Sequence, residues 1–271
     1  MKQPRKHLLC LLLALWLTGV LAGCAADTAD TNADLPVITV GCDNYPPFTY
    51  VNSDGKPVGI DVELADEAFR RMGYRPEFVT INWAEKNTLL ENGVIDCIWS
   101  SFSMSGRADE YTWAGPYMYS HQVVAVMPDS DIQTLADLAG KTVVVQATTK
   151  PESLFLDGND PRIPEIRALH SLQKRELIYS YLAKGYADAV AAHEISILQF
   201  MKDYGFEFRI LEEPLEAVEL GVAFSRSDDR GIAQALSAPL EEMQADGTTR
   251  SILARYLADP DKYLEADGYA D

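Results

Sequence analysis

The sequence predicts an α/β protein of two lobes, each built around an open, mostly parallel sheet. Short apolar runs rich in β-branched residues alternate with stretches of helical spacing, the order that yields parallel strands joined by right-handed crossovers. The alternation breaks and restarts after Tyr119. A chain of 271 residues also exceeds what one ordinary domain needs.

At the front, Lys2, Arg5 and Lys6 precede an apolar run over 8–17 and then Leu21-Ala22-Gly23-Cys24. A basic flank, a short apolar core and small residues before a cysteine predict a secretory leader over 1–23 that resembles the bacterial lipoprotein box. The run falls short of the roughly 20 apolar residues that a bilayer-spanning helix needs. Cleavage would make Cys24 the N-terminus and lipid-bearing residue, followed by a solvated tether over 24–34 rich in Ala, Asp, Thr and Asn.

The body opens with Val37-Ile38-Thr39-Val40-Gly41-Cys42, an apolar run bounded by Pro36 and the Tyr45-Pro46-Pro47 turn, which predicts a buried strand. Asp61 reads as the N-cap of a helix in which Val62, Ala65, Phe69 and Met72 recur at helical spacing before Gly73. A strand over 77–80, a helix over 83–91 closed by Asn92-Gly93, and a strand over 94–99 complete the first set. In the second set, strands are expected over 122–127, 141–146, 165–169, 187–192 and 206–211, and Pro151-Glu152 opens a helix. Ser171 reads as the cap of another helix running to Lys184, in which Leu177/Tyr181 and Ile178/Leu182 pair four apart.

Composition narrows the function. The formal charge of −18, more negative still once the basic leader is lost, argues against nucleic acid as a partner. Of four cysteines, Cys10 leaves with the leader and Cys24 carries lipid. Cys42 closes the first strand and Cys97 opens the third section of sheet, which in parallel strands separates them by about 10 Å and predicts buried free thiols. His7, His121, His170 and His193 are scattered and no Cys/His group has zinc spacing, so neither a metal nor a cofactor is expected. No Ser/His/Asp order or nucleophile elbow speaks for hydrolysis.

Open α/β sheets bind ligands at the C-terminal edge of their strands. Asp43 follows the first strand and the run Ser101 to Arg107 follows the third, so the topology brings both to one rim. The planar fork of Arg107 suits a carboxylate, taking it with two charge-assisted hydrogen bonds; the plain alternative is a surface arginine paired with Asp109 or Glu110. Ser101 and Ser103 offer hydroxyls that bond a carboxylate or an ammonium, or else form an ordinary polar loop. Tyr45 and Trp83 are candidate covers for the ligand's apolar part, whereas Phe48 and Trp113 read better as packing residues. For Asp43 the alternatives are a polar contact to ligand and an Asx turn.

These residues sit within a longer set: Val40-Gly41-x-Asp43, Tyr45-Pro46-Pro47-Phe48, Gly59-Ile60-Asp61-Val62, Asp96, Arg107, Pro116-Tyr117, Asp137-Leu138-x-Gly140-Lys141, Gly185-x-x-Asp188-Ala189 and Ala245-Asp246-Gly247-Thr248. Their order and spacing resemble the extracellular solute-binding proteins of the polar amino acid uptake type, family 3. The resemblance implies the type II periplasmic-binding-protein-like fold, with lobe 1 over 35–120 and 221–262 and lobe 2 over 121–220. Two strands near 119–124 and 219–224 would cross between lobes, and a helix pair split at Asp246-Gly247 would return to lobe 1. It further implies a monomeric, non-enzymatic binder that holds a small polar ligand, an amino acid above all, in the cleft. An ABC permease in the membrane would be its partner.

By family position, Asp43 would meet a ligand ammonium or polar side chain. Thr149, with Lys150 as the alternative, would help bind the carboxylate at a helix N-terminus, where anions are favoured. The family's ammonium-binding aspartate maps to His193, with Glu194 beside it; either Glu194 takes over the role or His193 bonds the ligand's polar side chain. Ser105-Gly106-Arg107 is one residue tighter than the family's usual spacing. Two rival readings stay open on the same fold: a cyclohexadienyl-type dehydratase with a general acid such as Glu194, and a protein that presents ligand to a sensor.

Overall fold

The computed structural model describes residues 35–265, so the expected leader, the tether and Cys24 lie outside the described residues. The first set of elements is β1 (Val37–Cys42), a small β2 (Tyr50–Val51) and β3 (Pro57–Val58) hairpin, α1 (Ile60–Arg71), β4 (Arg75–Thr80), a 3-10 turn running into α2 (Lys86–Glu91), and β5 (Cys97–Ser103). The 15-residue β6 (Thr112–Val126) leads to β7 (Thr142–Gln146), α3 (Lys150–Asp157), β8 (Ala168–Leu172), α4 (Arg175–Ala183), β9 (Ala189–His193), α5 (Glu194–Tyr204) and β10 (Arg209–Ile210). The chain returns through β11 (Glu216–Phe224) and closes with α6 (Ile232–Ala245) and α7 (Thr248–Leu253).

The strands run in the order β4-β1-β5-β11-β6-β9-β7-β8, with β10 on β6. β1 pairs in parallel with β4 and β5, and β7 in parallel with β8 and β9. Between these wings β5, β11, β6 and β9 pair antiparallel. β6 is the bridge: it pairs with β11 as far as Gln122 and with β9 from Gln122 to Val126. The fold is the two-lobed α/β type expected, with crossovers at the strands that face each other.

Because helices cover both faces, β5 is buried at every residue and reads as a continuous apolar and small-residue run. Ile38, Val40, Leu64, Phe69, Trp99 and Phe224 centre the core of the first wing. In the second wing the period-2 pleat sorts β7 cleanly: Val144 joins Ile178 and Val190 on one face, while Val143 and Val145 join Leu135 and Leu138 on the other. Cys42 and Cys97 are free and buried. The register sets Cys97 opposite Val40, two residues before Cys42, and burial pushes the Cys42 thiol up to about 12.

Several local expectations are corrected. Asp61 is not the N-cap: Gly59 holds that position with φ +130, and a Cβ there would stand 2.3 Å from the Phe48 carbonyl oxygen. Ser171 is no cap either; it lies in β8 opposite Val145, and α4 begins only at Arg175. Ladder pairing outweighed its local capping preference. The strand expected over 165–169 is Ala168–Leu172, and that over 206–211 shrinks to Arg209–Ile210. β6 starts ten residues early because the strands bulge past Gly115-Pro116: Ala114 faces Val222 and Met118 faces Leu220, so the proline breaks no ladder. Finally, β5 extends to Ser103, which places the serine run inside the strand end and not in the loop beyond it.

The candidate ligand cleft

Ser101 sits near the end of β5 with φ +50, a left-handed backbone that costs a serine strain. The buried Asp61 holds it there: one carboxylate oxygen accepts the Ser101 backbone N–H at 2.6 Å, and the other accepts the Tyr117 hydroxyl at 2.9 Å. Burial lifts Asp61 to about 7 against the pull of these two donors. A residue that reads in sequence as a helix cap thus acts as the anchor of the strand end, a consequence of β5 passing over the first turn of α1.

Residues of β5, β6, β9, α3 and α4 line a narrow cavity. Trp83, Ser100, Ser101, Phe102, Ser103 and Arg107 line it from the first wing; Thr149, Lys150, Pro151, Arg175 and His193 line it from the second, with Gln122 on the bridging strand. Six of the residues singled out from sequence therefore meet on one wall: Trp83, Ser101, Ser103, Arg107, Thr149 and His193.

Arg107 lies 5.2 Å over the Phe102 ring and donates one hydrogen bond to the Ser103 carbonyl at 3.2 Å. Trp113 braces it from behind, donating to the Arg107 carbonyl at 3.0 Å. No acidic partner lies within ion-pair distance of Arg107 among the described residues, so the surface pairing with Asp109 or Glu110 is not seen. Burial draws its pKa down from the ordinary arginine value. Around it, Trp83 Nε1, the Ser101 and Ser103 hydroxyls, Gln122 Oε1 and Arg175 Nε are buried with no hydrogen-bond partner among the described residues. Unpaired polar atoms are rare in protein interiors, and five converging on one cavity mark a place where something else completes them.

Thr149 is the N-cap residue of α3, yet its hydroxyl donates to the Gln146 carbonyl at 2.6 Å instead of capping the helix. Lys150 beside it pairs with Glu216 at 3.2 Å. The His193 ring is buried, with Nδ1 at 3.0 Å from the Ser120 hydroxyl and Nε2 at 2.8 Å from the Gln122 amide. Burial first, and Arg175 second, press its pKa down to about 3, so the imidazole is neutral.

Asp43, Tyr45 and Glu194 are not on this wall. Asp43 accepts Gln146 Nε2 at 2.7 Å across the cleft, a tie between wings, and the Asn44 backbone N–H at 2.9 Å; the Tyr45 N–H goes to the Thr49 carbonyl, so the Asx turn does not form. Tyr45 is buried under the Arg175 guanidinium, 3.3 Å from its ring centre, and lines a neighbouring groove. Glu194 is taken up by Lys262 at 2.9 Å and by the Tyr263 hydroxyl at 3.4 Å, facing away. Arg175 and Gln122, like Ser100 and Phe102, line the cavity without having been singled out from sequence as ligand residues. The first two carried a signal: a cation at the first position of a helix opposes the macrodipole, and a glutamine interrupts the apolar run of β6.

The family model of the bacterial extracellular solute-binding proteins, family 3, matches residues 38–259. The chain belongs to that family. Among its solute-binding relatives, the histidine-binding periplasmic protein of Salmonella typhimurium is 33% identical over 255 residues, covering 90% of this chain and 96% of the relative. The glutamate-binding protein GluB of Corynebacterium glutamicum is 26% identical over 274 residues, covering 92% and 90%. A histidine-bound ABC uptake transporter substrate-binding protein from Streptococcus pneumoniae superposes with a TM-score of 0.75 at 22% identity, covering 83% of this chain and 93% of that one; it attests the fold.

Proposed function

We propose that this solute-binding protein captures a small amino acid in the cleft between its wings and delivers it to the permease of an ABC importer. The observation that carries the reading is the unpaired Arg107 facing unsatisfied Ser101 and Ser103 hydroxyls on one side, with Thr149 at a helix N-terminus on the other. That is a carboxylate cradle in two halves. Since each wing, lobe 1 over 35–120 and 221–262 and lobe 2 over 121–220, offers part of it, ligand binds the closed state better and shifts the population toward closure. Moving a 1:99 mixture to 99:1 takes about 5.5 kcal/mol of differential affinity.

The family is extracellular, and we read the protein as a monomer held at the membrane by lipid on Cys24, so that closure is displayed to a permease beside it. We read no enzyme: Glu194, the residue a dehydratase reading needs as general acid, is engaged by Lys262. Binding of free L-amino acids, measured by calorimetry, tests the proposal together with Arg107→Lys, which keeps the charge and loses the fork. The variant should weaken binding about 10- to 100-fold, the worth of one charge-assisted hydrogen bond. Equal affinity in the two proteins would remove Arg107 from the site, and no binding by any amino acid would end the reading.

A further inference from the structure

The cavity wall contains three cationic side chains, Arg107, Lys150 and Arg175, and no carboxylate. Lys150 and Arg175 occupy the first positions of α3 and α4, so two positive helix ends add to the same field. Glu216 offsets Lys150 and Asp43 offsets Arg175 at 3.5 Å, which leaves Arg107 uncompensated. The Asp43 carboxylate is engaged by Gln146, Asn44 and Arg175 and lies off the cavity wall. At the neighbouring position stands His193, which brings no negative charge.

A zwitterion of zero net charge would neutralise Arg107 with its carboxylate and bury an ammonium among cations with only neutral acceptors, such as Gln122 Oε1, to meet it. A basic ligand would do worse. Burying unpaired charge is among the costliest things a site can do. Arg175, in contrast, is buried and makes no hydrogen bond among the described residues, while its guanidinium is held over the Tyr45 ring, 3.3 Å from the centre. A flat, held guanidinium is suited to a second carboxylate.

We propose that the ligand is a small dicarboxylate, with one carboxylate on Arg107 and the serine hydroxyls and the second on Arg175. This rests on the cavity being the ligand site and adds the sign of the ligand's charge. Both an acidic amino acid, whose second carboxylate offsets the charge of its ammonium, and an amine-free diacid supply two carboxylates, and the experiment separates them.

Calorimetry on the full chain would compare L-glutamate with L-glutamine and L-aspartate with L-asparagine, pairs of nearly equal shape, beside arginine, histidine and succinate. The expected result is an acid favoured over its amide by at least about tenfold, with Arg175→Met cutting affinity for the acid by about 100-fold and for the amide by much less. If an amide, arginine or histidine binds as tightly as the acids, the dicarboxylate is wrong while the amino acid reading stands. If succinate binds and the acidic amino acids do not, the dicarboxylate stands and the amino acid falls. Silence from the whole panel overturns both. Should Arg175→Met fail to show a cooperative melt, the acid-to-amide ratio in the unaltered protein decides alone.

Discussion

His193 sits in an environment far from that of solution. Its ring sits among Ser120, Gln122, Tyr45 and Phe48, with the Arg175 charge nearby, and its pKa falls from 6.5 to about 3. A folded-state pKa below the unfolded value makes stability full above pH 6.5 and lost as pH falls toward 3, because the unfolded chain takes up the proton first. The slope is on the order of 1.4 kcal/mol per pH unit within that window. Urea titrations from pH 7 to 4 should therefore show His193→Gln losing stability less steeply than the parent. Parallel slopes would mean that the imidazole carries its proton in the fold. Sequence marked His193 through its place in the family pattern. It did not reveal that the ring is bonded to β6, since that takes Gln122 opposite it in an antiparallel ladder.

Among the elements, those bracketed by hard signals were legible. β1 occupies Val37–Cys42 as expected because Pro36 and the Tyr45-Pro46-Pro47 turn bound an apolar run on both sides. The α1 terminus misled because two plausible starters, Gly59 and Asp61, lie two residues apart. Backbone clearance chose Gly59, and the buried polar contact to Ser101 employed Asp61 elsewhere. Gly59→Ala should consequently cost about 3 kcal/mol or more, from a strained φ plus a clash with the carbonyls of Pro47 and Phe48. Chemical denaturation measures it; a loss below 1 kcal/mol would show that the turn before α1 yields easily. The serine run was likewise readable as functional and misplaced by one element, since nothing local distinguishes a strand's last residues from the loop after it.

Across the whole molecule, the wings are tied by polar contacts at the cleft. Gln146 donates to Asp43, the His193 backbone N–H donates to the Tyr45 hydroxyl at 3.3 Å, and Lys86 donates to the Thr148 hydroxyl at 3.1 Å. Burial lowers the Lys86 pKa to about 8, yet the ammonium remains the better-served form near neutrality because three acceptors surround it. Such ties stabilise the closed arrangement by small increments, so Gln146→Ala should raise the radius of gyration of the ligand-free protein and weaken ligand by up to about tenfold. Small-angle scattering with and without saturating ligand reads this directly. A ligand that leaves the radius of gyration unchanged in both proteins would show that closure is not what binding drives.

The sequence by itself determined the class of fold, the family, the cleft as the place to look and Arg107 as the residue to watch, because apolar periodicity and motif order are local properties written along the chain. Only the tertiary structure decided which polar groups face the cavity. Asp43 and Glu194 lie off the cavity wall, in contact with Gln146, Arg175 and Lys262, far away in sequence. Gln122 entered the wall because β6 passes between the two wings there, and Arg175 because α4 begins at the cleft. Charge balance in a buried site is a sum over neighbours in space, and no reading along the chain can supply that sum.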